Sequence, residues 1–119
     1  MYINDIQRGR KKMPYIVVTT WSPLAKGREI IEAYAKVRKE FPVDKNLTKE
    51  LVQGILKVEG GKSKSITISK VKEGMMNKAL LRQQDAMVMF HEIEGFEYTI
   101  DVYFDFPETF SMLGMQAPD

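Results

Sequence analysis

The sequence predicts an α+β sandwich, and three observations predict it. Short stretches alternate apolar and polar residues with period two. Two longer stretches repeat apolar residues every three to four positions. Read once along 119 residues, these rhythms run strand, helix, strand, strand, helix, strand. That order is the ferredoxin-like βαββαβ sandwich, built on an antiparallel four-stranded sheet. The arrangement carries many unrelated functions, so the chemistry has to be sought in individual residues.

Tyr15–Trp21 is dense in β-branched and aromatic residues and reads as the first strand. Ser22 and Pro23 break it, with Ser22 placed to cap the helix that follows. In Leu24–Phe41, Ile30, Tyr34, Val37 and Phe41 form a helical stripe widened by Ile31 and Ala35, and Pro42 ends it. Thr48–Val52 reads as a turn of helix before a second strand at about Gln53–Glu59. Gly60-Gly61 turns the chain, and Lys64–Lys72 returns with Ile66 and Ile68 on one face and Ser65, Thr67 and Ser69 on the other. Glu73–Ile93 predicts the second helix, its stripe running through Met76, Ala79, Leu80, Gln83, Met87, Phe90 and Ile93, with Gly95 as its stop. Phe96–Phe106 is the longest alternating strand. Pro107 closes it, and Phe110–Met115 forms an apolar tail.

A chain of this length is one domain and can bury a core without covalent staples. It contains no cysteine, which removes disulfides, iron–sulfur clusters and thiol nucleophiles together. Residues 1–13 carry a charge of +3 through Arg8, Arg10, Lys11 and Lys12, and the rest carries −1. The basicity therefore sits in an amino-terminal extension, a candidate for disorder, while residues 14–119 make the domain. Met13-Pro14 also resembles a second start. A nucleic-acid binder usually shows a basic face on the domain itself, so no nucleic acid is expected as a partner. No stretch approaches the ~20 apolar residues of a membrane span, and the start of the chain lacks a signal-peptide core. No membrane partner is expected, and the expected location is the cytoplasm.

The first strand is apolar on both faces: Ile16 and Val18 point one way, and Tyr15, Val17 and Trp21 the other. A sheet with helices on one side leaves its other face open, and an exposed face should alternate in polarity. Together with the apolar tail, this predicts a homodimer that stacks its open faces. On element order and lengths, residues 14–115 resemble the dimeric α/β-barrel proteins, whose sheets face each other across a two-fold axis. The resemblance implies carboxy-terminal residues reaching over the partner and a ligand site between the sheet and the helices. Monooxygenases of that superfamily use Asn, Trp and His, or Asn, Trp and Tyr, at the pocket. Trp21, His91 and Tyr34 are the residues here that answer to that set, whereas the first strand holds no asparagine.

Other motifs are weaker. Gly60-Gly61-Lys62-Ser63 resembles the end of a phosphate-binding loop. Leu56 stands where the motif needs glycine, and a strand follows instead of a helix. His91 is the only histidine, so no multi-histidine metal site can form, and neither metal nor cofactor is assigned. Asp101 and Asp105 are ~13 Å apart along a strand, too far for a carboxylate dyad. Gln83 on an apolar stripe needs hydrogen-bond partners or a polar pocket. The resulting expectation is a homodimer binding a small, partly apolar molecule between helices and sheet. Tyr34, Gln83, Met87 and His91 would line the site, with Trp21 near its mouth. Two alternatives stay open: a cofactor-light enzyme of the monooxygenase type using His91 or Tyr34, and a structural or regulatory dimer without a ligand. Catalytic residues, and whether a reaction occurs, are left unassigned.

Overall fold

The computed structural model describes residues 13–118. The basic extension lies outside the described residues except for Met13. Four strands are present, β1 (Tyr15–Pro23), β2 (Thr48–Glu59), β3 (Lys62–Val71) and β4 (Glu97–Tyr103), with helices α1 (Gly27–Glu40), α2 (Met76–Val88) and α3 (Phe106–Met112). The sheet order is β2-β3-β1-β4 with every neighbouring pair antiparallel. This is the ferredoxin-like arrangement of a βαββαβ chain, extended by α3.

The turn between β2 and β3 shows why the hairpin register is fixed. Gly60 and Gly61 both take positive φ, 58° and 76°, between the paired residues Glu59 and Lys62. Two consecutive positive φ values define a type I′ turn, whose twist matches that of the flanking strands. Gly95 has a different reason. Its φ is 82°, and a Cβ there would lie 2.6 Å from Cγ of Pro23. The chain entering β4 can therefore press against the end of β1 only because the residue is glycine.

Alternation along β1 decides the two faces. Ile16 and Val18 are buried and join Val71, Ala79, Met87 and Phe90 in one cluster, with Ile30 and Val37 of α1 packed against it. Each large apolar side chain so buried contributes about 1.5–3 kcal/mol. Tyr15, Val17 and Trp21 alternate to the opposite face, where the register sets them beside Lys70, Ile68 and Lys64 of β3 and Tyr103, Asp101 and Glu97 of β4. The described chain is flat, 56 × 30 × 17 Å, with a radius of gyration of 17.0 Å. A compact domain of about a hundred residues has about 13 Å.

Several elements differ from the expected boundaries. Thr48–Val52 is strand instead of helix, because Thr48, Lys49 and Glu50 pair with Val71, Lys70 and Ser69. Pairing to β3 outweighs a weak local preference for helix. Irregular steps follow, between Glu50 and Val52 and between Val52 and Ile55. The first helix begins with a 3-10 turn at Leu24–Lys26, and Ser22 stays in the strand with no capping bond to the turn. The second helix ends at Val88 instead of Ile93. Beyond it the amides of Met89, Phe90, His91 and Ile93 bond three residues back instead of four. That tighter winding lets the residues after Val88 drift off the α-helical stripe. β4 stops at Tyr103. Asp105 then accepts a hydrogen bond from the Glu108 amide at 2.8 Å and starts α3, with Pro107 in its first turn.

Candidate functional site

The helix-facing side of the sheet is not uniform. Under α2, β1 offers Ile16 and Val18, which fill the space. Under α1, β3 offers Ser63, Ser65, Thr67 and Ser69, which pair across to Ser22, Thr20, Val18 and Ile16 of β1. Small hydroxyl side chains leave volume unfilled between sheet and helix. The consequence is a cleft of about 490 Å³ between α1, α2 and the β2–β3 half of the sheet. That size lies within the range of small-molecule sites. Its floor carries the hydroxyl row, in which Thr20 and Ser65 are hydrogen-bonded to each other. Its walls are apolar: Ile30, Val37 and Phe41 from α1 and the residue after it, Met87 and Phe90 from α2 and its continuation. No residue of α1 is fully buried, and Ile31, on the cleft wall, is 66% exposed.

Polar groups are fixed at defined points on this lining. Arg38 reaches Glu50 of β2 with both guanidinium nitrogens, at 2.9 and 3.3 Å. That two-point bond raises the Arg38 pKa above its ordinary value, against a smaller opposing effect of partial burial. The Tyr34 hydroxyl accepts a hydrogen bond from the Gln53 amide at 3.2 Å, and the Arg38 guanidinium lies 5.9 Å from the Tyr34 ring centre. Arg82 donates to the Pro42 carbonyl at 2.9 Å and sits 5.5 Å from the Phe41 ring centre. Asp44, also on the lining, accepts from the Asn46 amide at 3.0 Å.

Of the residues singled out from sequence, Tyr34, Gln83 and Met87 meet at this cleft. Gln83 is half-buried, and its amide makes no hydrogen bond within the described chain. Trp21 does not join them. It alternates away from its neighbours Thr20 and Ser22, which do line the cleft, and lies on the open face with the Lys64 ammonium 5.9 Å from its ring. His91 does not line the cleft either. It is exposed, and its Nε2 is 3.1 Å from the Tyr98 hydroxyl, which also accepts from Gln84 at 2.8 Å. The tight turns after Val88 carry His91 away from the side that Met87 presents.

Sequence reading missed Arg38, Glu50, Arg82 and the hydroxyl floor as parts of one site. Arg38 and Arg82 look like ordinary wet-face residues of amphipathic helices. The alternating Ser65, Thr67 and Ser69 were visible, but only the register with β1 turns them toward the helices.

Among the described residues, no group of three or more His, Cys, Asp or Glu side chains is placed to hold a metal ion. No helix among them is long and apolar enough to cross a membrane. No protein family, curated protein or solved structure matches the chain in comparison.

Proposed function

We propose that the protein binds a small, partly apolar molecule in the cleft between α1, α2 and the hydroxyl-bearing half of the sheet, and does so as a homodimer of the dimeric α/β-barrel kind. One observation carries the binding reading: a volume of about 490 Å³ whose floor is hydroxylated while its walls are aliphatic and aromatic. Such a lining orients a ligand by hydrogen bonds and holds it by apolar contact. A cleft whose only purpose was packing would be filled by larger residues than Ser65 and Thr67.

The dimer reading rests on the other face of the sheet. Val17, Trp21, Ile66 and Ile68 lie there with Val52 of the edge strand. Charge on this face is polarised. Lys49, Lys57, Lys62, Lys64 and Lys70 stand with Glu59 on the β2–β3 side, and Glu97 and Asp101 on β4, with Lys62 paired to Glu97 at 3.1 Å and Lys57 to Glu59 at 3.2 Å. A two-fold axis parallel to the strands lays β4 of one copy over the basic side of the other. An axis across the strands would oppose like charges, so the pattern favours the first.

The test is fluorescence binding of 1-aminoanthracene, an uncharged probe of apolar cavities, to the native chain and to Thr67→Phe. The larger ring fills the floor from a position whose hydroxyl makes only a 3.4 Å contact with the Gln53 carbonyl. Binding is expected in the native protein and is expected to fall at least about tenfold in the variant while circular dichroism is unchanged. Equal binding by both would place the probe elsewhere and overturn the cleft as the site.

A further inference from the structure

Resting on the cleft as a binding site, the geometry points to the chemical class of what it takes: we infer that the ligand is a monocarboxylate with an apolar body, its carboxylate held by Arg82. The two arginines of the lining differ in what they are bound to. Arg38 is neutralised, its guanidinium joined at two points to Glu50. Arg82 has no acidic partner within 4.0 Å among the described residues. Its one hydrogen bond within the described chain runs from Nη2 to the neutral carbonyl of Pro42.

Two contacts hold the Arg82 side chain in place without cancelling its charge. The Pro42 carbonyl fixes one edge of the guanidinium, and the Phe41 ring supports the group from 5.5 Å. A guanidinium has five N–H donors in a planar fork that matches a carboxylate. The remaining donors are available to a ligand. Gln83, the next residue, lines the cleft with an amide that has no partner within the described chain. It supplies a further donor and acceptor elsewhere on the lining.

The other charges on the lining favour a single negative charge over a multiply charged group. Glu50 is engaged by Arg38, and the Asp44 carboxylate accepts from the Asn46 amide. One open cation thus faces a lining that already holds two carboxylates, which suits a monoanion and penalises a phosphate dianion. From the Phe41–Pro42 end, the apolar surface continues along Val37, Ile30 and Met87, giving the body of the ligand a dry path.

The experiment displaces 1-aminoanthracene from the full chain with decanoate and with 1-decanol, which share a body and differ in the head group. Decanoate is expected to displace the probe at roughly tenfold lower concentration, as charge-assisted hydrogen bonds imply. In Arg82→Met that preference is expected to fall below about twofold, with 1-decanol unaffected. Arg82→Lys, which keeps the charge and loses the fork, is expected to retain part of it. The native comparison and the lysine variant decide the matter even where the methionine variant does not fold. Equal displacement by the two ligands in the native protein overturns the carboxylate inference and leaves an apolar binding cleft standing. Absence of 1-aminoanthracene binding by the folded native chain overturns the cleft itself, and the inference with it.

Discussion

The two faces of the β3 strand reverse the usual order of a half-covered sheet. The side beneath the helices presents Ser63, Ser65, Thr67 and Ser69, and the side without helices presents Ile66 and Ile68. In a sheet designed only to bury one face, the apolar set would lie under the helices. Only at Val71, the end of the strand, does the helix side carry a buried apolar residue. The helix side is left short of volume and holds a cleft, and the open side holds apolar area that water would meet in a monomer. On β1 the pattern is ordinary, with Ile16 and Val18 buried inward. The packed cluster and the proposed binding floor therefore lie on neighbouring strands of one sheet.

The largest expected effect separates the packed cluster from the cleft floor. Met87→Ala removes a side chain that is 4% exposed and packed in the β1 cluster. A loss of about 2–5 kcal/mol is expected by urea denaturation. Thr67→Val, on the cleft floor, keeps the shape and removes one weakly placed hydroxyl. Its expected change is within about 1 kcal/mol in either direction. Equal costs at both positions would break the distinction, because the floor would then be core.

A smaller effect is expected on the open face. Ile68 lies in the row Val52, Ile68, Val17, Asp101. Ile68→Asp would bring a carboxylate into the middle of the stacked faces without a partner. A cost of about 2–3 kcal/mol to association corresponds to a weakening of roughly 30- to 150-fold. Light scattering should show the native chain near twice its 13.7 kDa mass and the variant shifted toward one chain at the same concentration. A native mass near 13.7 kDa would refute the dimer outright.

Much of this organisation was legible in the sequence, and what was not has physical causes. The order of elements and the two-sided apolarity of Tyr15–Trp21 follow from period alone. The face of Ser65 and Thr67 does not, because alternation fixes which residues share a side and only pairing with Thr20 and Val18 fixes which side it is. Trp21 shares the side of Tyr15 and Val17, so the face that buries Ile16 and Val18 turns its ring away from the cleft. His91 sits four residues after Met87, but the helix tightens after Val88 and turns it off the stripe. Asp105 with Glu108 three residues later is a helix-start signature that the alternation of Phe96–Phe106 obscured. Arg82 carried no local signal, since its partner is a carbonyl 40 residues away.

The smallest effect lies where the open face meets α3. Tyr15, at the end of that face, donates its hydroxyl to the Asp105 carboxylate at 3.2 Å, so the residue that starts α3 also ties it to β1. Partial burial raises the Tyr15 pKa above its ordinary value, and the bond to Asp105 and the charges of Asp105 and Glu108 raise it further. The folded state thus holds this proton more tightly than the unfolded chain does. The associated stability is fully present below the unfolded value of about 10 and is lost as pH rises through the raised folded value. Tyr15→Phe removes the titration. The native chain should be the more stable of the two at neutral pH, by a margin that shrinks as the pH passes about 10. Urea midpoints measured in parallel on both proteins cancel the lysines and the other tyrosines common to them. A margin that stays constant across that range would mean that the Tyr15 proton is not shared with Asp105, and that α3 is held to the sheet by its apolar residues alone.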